Sequence, residues 1–331
     1  MRDVNTPRHP ARVRRLFAAT LAVGAVIAGT ATAATATGYS HNPDRDDDAA
    51  TVTAAAVSFR TIDNPADPTF NQLLGINDRG RIVGYFGSGA DPAHPNKGYT
   101  VKLHDEQPAF RNENFPGSTQ TQVVGINNNA TTVGFYINGT GANIGFVARY
   151  GHFTSVTNPS TPTDKPFDQL LGVNNRGVAV GFYNDAAGAA HGYTYNIGDA
   201  TFTPVALPVT AESVTATGIN DRGDISGFYV NAKVTTGFLL RHGHLDQVSL
   251  GAGTNTQALG INNNDRVVGS YLDSGGTMHG FTWTRNHHAV TVDAPQGAGG
   301  TVVNGLNNNG QLVGFYIDTT GNTHGFLARR R

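Results

Sequence analysis

Leu259-Gly260-Ile261-Asn262-Asn263-Asn264-Asp265-Arg266-Val267-Val268-Gly269-Ser270-Tyr271, answered by His279-Gly280-Phe281, is one copy of a pattern that fills the chain from Phe70 to Arg331. Six copies occur. Their first glycines are Gly75, Gly125, Gly172, Gly218, Gly260 and Gly305, at intervals of 50, 47, 46, 42 and 45 residues. The second glycine follows nine residues later in every copy: Gly84, Gly134, Gly181, Gly227, Gly269 and Gly314. A fixed period of that size marks a repeat architecture, and it governs every local reading.

Each copy holds four short β-signals. In the second copy they are Gln122–Asn127, Val133–Tyr136, Gly145–Arg149 and His152–Thr157. The first and second are joined by Asn/Asp/Gly turns such as Asn77-Asp78-Arg79-Gly80 and Asn307-Asn308-Asn309-Gly310, which suit hairpins. The third and fourth are joined by short turns such as Tyr150-Gly151. The fourth runs on to the next first strand through proline- or glycine-rich links, for example 65–68, 159–166 and 295–300. Four antiparallel strands and then a crossing to a new sheet describe a propeller blade. The last copy stops after its third strand, while a surplus fourth strand, Val57-Ser58-Phe59-Arg60-Thr61-Ile62-Asp63, precedes the first copy. The expected fold is therefore all-β: a six-bladed β-propeller with four antiparallel strands per blade, its ring closed by the N-terminal strand, over residues 57–331.

Composition agrees. The 331 residues include 42 glycines and no cysteine, which excludes disulfides, thiolate metal sites and a cysteine nucleophile. The first 33 residues read as an export signal. Arg2, Arg8, Arg12, Arg14 and Arg15 precede an apolar run from Leu16 to Ile27, and Ala31-Thr32-Ala33 supplies a cleavage motif. Arg14-Arg15-Leu16-Phe17 fits the core of a twin-arginine signal; the general export route is the other reading. An uncleaved anchor is disfavoured because the run is short and rich in Ala and Thr. Removing five of 23 basic and one of 24 acidic residues leaves a net charge of −5, which argues against nucleic acid as a partner. Residues 34–55, Ala/Thr-rich with Asp46-Asp47-Asp48, read as a flexible tether.

The repeated residues read first as structure. The glycines allow close backbone approach, and Phe135-Tyr136, Phe182-Tyr183, Phe228-Tyr229 and Phe315-Tyr316 supply core between blades. The Asn pairs are mostly neutral amides and read as turn residues rather than calcium ligands. One correlation is more specific. His191, His279 and His324 each precede a third-strand glycine, and those three copies alone carry Asp185, Asp273 and Asp318 six residues earlier. Each Asp would face its His across a hairpin. The pair either staples the loop or forms a ligand-binding dyad on the rim, so these six residues are the candidate ligand-binding positions. No G-x-S-x-G, H-E-x-x-H or P-loop motif occurs. His104, His152, His242, His244, His287 and His288 fall mainly in third-to-fourth turns and read as solvated. No catalytic residue, metal site or cofactor is expected.

The pattern G-I-N-N-x-G-x-x-V-G-x-Y … H-G-F resembles the HAF-type extracellular repeat family of bacterial exported proteins. Gly260-Ile261-Asn262-Asn263, Val268-Gly269 and His279-Gly280-Phe281 carry the resemblance, with their equivalents, over almost all of residues 57–331. The departures are His-Gly-Phe/Tyr in place of His-Ala-Phe, and the loss of the histidine from three copies. The resemblance implies an exported repeat protein and brings no catalytic residues. The expectation is a secreted, monomeric, non-catalytic scaffold. It would bind a cell-envelope or extracellular glycan or protein through the face carrying the second-to-third and fourth-to-first loops. The alternative is a secreted polysaccharide hydrolase or lyase, which requires Asp164, Asp168, Glu212 and a histidine to meet at the channel mouth.

Overall fold

The computed structural model describes residues 57–104, 107–251, 255–286 and 288–330. The expected export signal, the tether and His287 lie outside them. In chain order the strands are β1 (Val57–Thr61), β2 (Asn71–Ile76), β3 (Arg81–Phe86), β4 (Lys97–His104), β5 (Gln107–Asn112), β6 (Gln120–Ile126), β7 (Thr132–Ile137), β8 (Asn143–Arg149) and β9 (His152–Val156). They continue as β10 (Asp168–Val173), β11 (Val178–Asn184), β12 (Ala190–Asn196), β13 (Thr201–Pro204), β14 (Ser213–Ile219), β15 (Ile225–Asn231), β16 (Val234–Arg241) and β17 (His244–Val248). The last are β18 (Thr256–Ile261), β19 (Val267–Leu272), β20 (Met278–Trp283), β21 (Ala289–Thr291), β22 (Gly300–Leu306), β23 (Leu312–Ile317) and β24 (Thr323–Arg330).

Six four-stranded antiparallel sheets result, five of them in simple chain order. The sixth is ordered β1-β24-β23-β22, so the N-terminal strand is the outer strand of the last blade and the propeller is closed. Its register is Val57↔Arg330 through Thr61↔Phe326. Side chains repeat the message. Tyr136, Tyr229 and Tyr271 on second strands reach fourth-strand partners Ser155, Gln247 and Thr291 of their own blades. In blade 6 the partner of Tyr316 is Thr61, 3.0 Å away. Among the described residues no helix is long and apolar enough to cross a membrane.

The glycines have three distinct jobs. Those of the innermost strands meet around the axis: a Cβ on Gly125 would lie 3.0 Å from the Cα of Gly172, and one on Gly305 would lie 3.3 Å from that of Gly75, closing the circle. The second glycine faces a β-bulge, present in the inner pair of every blade. A Cβ on Gly84 would meet the Gln72 carbonyl at 2.0 Å. In four blades a buried phenylalanine, Phe146, Phe238, Phe281 or Phe326, packs over this glycine. Burying each ring contributes about 2–3 kcal/mol. The third-strand glycine admits the next blade, as where Gly325 accommodates Leu73. The Phe-Tyr pairs are core as expected, with both rings buried in blades 2, 4 and 6.

Two fourth strands are shorter than the sequence suggests. β1 ends at Thr61 and β21 at Thr291, although the pattern ran to Asp63 and Asp293. Ile62 and Val292 still donate to the carbonyls of Gly325 and Gly280. The next ladder bond is then taken over by a side chain: the N–H groups of Gly325 and Gly280 donate to Asp63 and Asp293.

Candidate functional site

The first-to-second turns build a belt around one end of the axis. The first Asn of each turn accepts two N–H groups of its own turn through Oδ1; for Asn77 these come from Arg79 and Arg81. Its Nδ2 donates to the carbonyl of the equivalent Asn in the next blade. The bonds run Asn77 to Asn127, Asn127 to Asn174, Asn174 to Asn220, Asn220 to Asn262, Asn262 to Asn307 and Asn307 back to Asn77. A group that must accept at one end and donate at the other has to be an amide, so all six positions are Asn.

The second position needs only an acceptor for the N–H of the preceding blade, and it is Asp in blades 1 and 4 and Asn in the other four. Backbone N–H groups donate from Asp78 to Asn128, Asn128 to Asn175, Asn175 to Asp221, Asp221 to Asn263, Asn263 to Asn308 and Asn308 to Asp78. The carboxylates of Asp78 and Asp221 each accept two further amide N–H groups from the flanking asparagines. Burial pushes the Asp221 carboxyl up, but the bonds from Asn263 and Asn175 outweigh this and hold it below the usual range. The belt surrounds an axial cavity of about 80 Å³, floored by Ile76, Ile126, Val173, Ile219, Ile261 and Leu306. Turn chemistry, the sequence reading, is half of what these residues do; the other half joins neighbouring blades.

The opposite face carries the second-to-third and fourth-to-first loops, which touch one another as expected. Asn143 donates to the Pro166 carbonyl, and Thr323 to that of Thr69. All three Asp–His pairs form here. His191 Nε2 lies 2.8 Å from Asp185, His279 Nε2 lies 3.3 Å from Asp273, and His324 Nε2 lies 3.2 Å from Asp318. Each Asp also caps its own loop: Oδ1 of Asp185 accepts from Ala187 and Ala189. Asn138 does the same in blade 2, where no histidine follows. The correlation seen in the sequence thus has a cause. Either amide or carboxylate caps the loop, but only a carboxylate offers a second oxygen to a histidine.

The pairs sit in three separate sheets and do not converge. The Asp185 carboxyl is held low by the His191 bond, that of Asp273 by the Thr277 N–H, and that of Asp318 by the Thr320 hydroxyl, with His279 and His324 adding to the last two. Each imidazole packs on a tyrosine: Tyr183, Tyr271 and Tyr316, with centroids 5.1–5.2 Å apart. Two partners escaped the sequence reading. Asp293 lies 2.7 Å from His279 Nδ1, and Asp63 lies 2.7 Å from His324 Nδ1. The signal was the shared Val/Ile-Asp ending of those two fourth strands. A further pair, His94 with Asp67 at 3.0 Å, ties the long loop of blade 1 to the link after β1.

The acid–base set considered for a hydrolase is dispersed by environment. Asp168 is fully buried. It accepts from Tyr193, Asn158 and Thr161, and burial pushes its carboxyl up. It pins the link between blades 2 and 3, as Asn71 and Thr301 pin others. Asp164 and Glu212 are exposed, and Glu212 caps the N–H of Ala232.

The loop face also bears exposed apolar side chains that sequence reading missed. Among the described residues the exposed large apolar side chains are Tyr150, Val209, Val234 and Leu272. The last three share this face over blades 4 and 5. The Thr235 and Leu272 N–H groups both donate to Asn255, which ties together the segments carrying Val234 and Leu272, and the Ala232 N–H donates to Glu212, three residues after Val209. Val234 follows a two-residue hairpin turn, Ala232-Lys233, with φ of 48° and 66°. Blades 2, 3, 5 and 6 use five-residue capped loops here and blade 1 a ten-residue one, so no periodicity pointed to these side chains.

No protein-family model and no curated protein matches the sequence. Solved structures align with the chain. Virginiamycin B lyase from Staphylococcus aureus aligns at 10% identity and TM-score 0.46, over 82% of this chain and 99% of its own. Aleuria aurantia lectin aligns at 9% and 0.48, over 78% and 91%. TolB from Acinetobacter baumannii aligns at 12% and 0.46 over 76% of this chain, which spans 64% of TolB.

Proposed function

We propose that this chain is an exported, HAF-type repeat protein whose six-bladed propeller binds an extracellular or cell-envelope glycan or protein through its loop face. The observation that carries the reading is the exposure of Val209, Val234 and Leu272 on that face. A surface that leaves valine and leucine in water while aromatic side chains fill every blade interface is suited to a partner. The repeated loops that surround it differ most between blades, as expected of a recognition surface on a rigid scaffold. The reading assigns no catalytic residue.

The test uses the chain from Ala34 onward in a thermal-shift screen of soluble cell-wall and plant polysaccharide fragments, with capture from an envelope extract in parallel. A ligand at a hundred times its dissociation constant stabilises by about 2.7 kcal/mol, a readable shift. Val234→Glu and Leu272→Glu should abolish the shift or the capture at unchanged melting temperature. Binding that survives both substitutions would remove the loop face from the account; turnover of a bound glycan would replace it with the hydrolase or lyase reading.

A further inference from the structure

His324 holds the two ends of the propeller chain together. Its Nδ1 faces Asp63, 261 residues away and just beyond the closing strand β1, while its Nε2 faces Asp318 on the β23–β24 turn. Asp63 also accepts the Gly325 N–H at 3.0 Å, so its two oxygens grip one strand through backbone and side chain together. Tyr316 lies against the imidazole at 5.2 Å between centroids and bonds Thr61 of β1 through its hydroxyl. The histidine side chain is only 18% exposed, Asp63 19% and Asp318 24%. Both ring nitrogens therefore point at acceptor-only oxygens. A neutral imidazole has one N–H and would leave a lone pair facing a carboxylate; the imidazolium satisfies both bonds. The tyrosine face at this distance also favours a cation.

We propose that closure of the propeller is a proton-controlled latch: doubly protonated His324 clamps β1 to blade 6, and loss of its proton loosens the closing strand. The groups facing the latch are Asp63 at the end of β1, Asp318 on the turn, Tyr316 on β23 and, from blade 1, Tyr99 on β4. Burial pushes the Tyr99 phenol up and Asp63 adds to that, so it stays neutral over the working range. Burial pushes His324 down, but Asp63 and Asp318 outweigh it and hold the ring above its ordinary 6.5. A raised folded-state value means the stabilisation is complete below about pH 6.5 and is lost as pH rises through the folded value. His279 has the same two-carboxylate geometry, but its partners Asp273 and Asp293 belong to its own blade, so its titration does not bear on closure.

Hydrogen exchange of the intact chain between pH 6 and 9.5, corrected for intrinsic rates, tests the latch. Protection of the amides from Ser58 to Ile62 should fall by about tenfold, the worth of one charge-assisted hydrogen bond, relative to β9, the outer strand of blade 2, which has no such histidine. In His324→Gln the relative protection of β1 should be lower at pH 6 and no longer depend on pH. In His191→Gln, where the histidine has one carboxylate partner, the wild-type dependence should persist. Equal loss of protection in β1 and β9, or a pH dependence that survives in His324→Gln, would overturn the proposal. The wild-type comparison decides the matter even if a variant fails to fold.

Discussion

Alanine at Gly84 should be among the most damaging single substitutions in this protein, and alanine four residues earlier at Gly80 among the mildest. At Gly84 the new Cβ would lie 2.0 Å from the Gln72 carbonyl oxygen and 3.1 Å from both the Gln72 carbonyl carbon and the Leu73 Cα, all backbone of the adjoining strand. Ordinary contact begins near 3.4 Å, so β2 and β3 would have to separate by about 1.4 Å at the bulge. That breaks about two buried backbone hydrogen bonds, at about 1–3 kcal/mol each where donor and acceptor stay buried. A loss of about 4 kcal/mol is expected. Gly80 has φ of 70° with nothing within 4 Å of a Cβ, and Ala130 fills the same turn position of blade 2 at φ 58°. Gly80→Ala should therefore cost about 1 kcal/mol. Thermal denaturation separates the two, since a domain of this size loses about 2–4 °C per kcal/mol. Gly84→Ala melting within about 2 °C of the parent, or below Gly80→Ala in its effect, would refute close backbone approach as the reason for this glycine.

Further outcomes follow from the belt and the loop face. Asp221→Asn would point an amide at the N–H donors of Asn175 and Asn263, and should cost about 1–3 kcal/mol at neutral pH. Because the Asp221 carboxyl is held low in the folded protein, its advantage over Asn should be full above its ordinary value of 3.8 and vanish as pH falls through the folded value, as pH-dependent melting would show. Asp168→Ala would strand the Asn158 N–H and the Thr161 and Tyr193 hydroxyls, and should cost about 3 kcal/mol in urea denaturation; a neutral result would mean Asp168 does not pin the link. Asp185→Asn keeps the loop cap, as Asn138 does naturally, so its melting temperature should match the parent.

The parts of this structure that were legible in the sequence are those confined to one blade. The glycine spacing, the turn residues and the displaced fourth strand gave blade number and closure, because each depends on residues close in sequence or on counting. The Asp–His pairs were legible because six residues across a hairpin place the two side chains opposite each other. What crosses between blades was not. The asparagine belt joins positions 42 to 50 residues apart, and its closing bond runs from Asn307 to Asn77. Only the ring geometry makes those turns neighbours. Asp63 was read as the last residue of a strand, whereas its carboxylate replaces the ladder and finds His324 at the far end of the chain. The exposed apolar residues were hidden for the opposite reason: Val209, Val234 and Leu272 break the repeat, and nothing local distinguishes an exposed valine from a buried one.

The closed ring depends on β1 completing the last blade, and the chain permits a direct measurement because it has no cysteine. Ser58 and Arg329 are register partners, and directly opposed antiparallel residues stand at Cα separations of about 4.5–5.5 Å, within disulfide range. The double variant Ser58→Cys/Arg329→Cys, mildly oxidised at low concentration, should give a faster-migrating monomer on a non-reducing gel and a single peptide joining the two positions. A Ser58→Cys/Arg149→Cys control, which pairs Ser58 with the same position of blade 2, should not. Cross-linking confined to dimers, or equal in the two variants, would contradict a closed six-bladed ring.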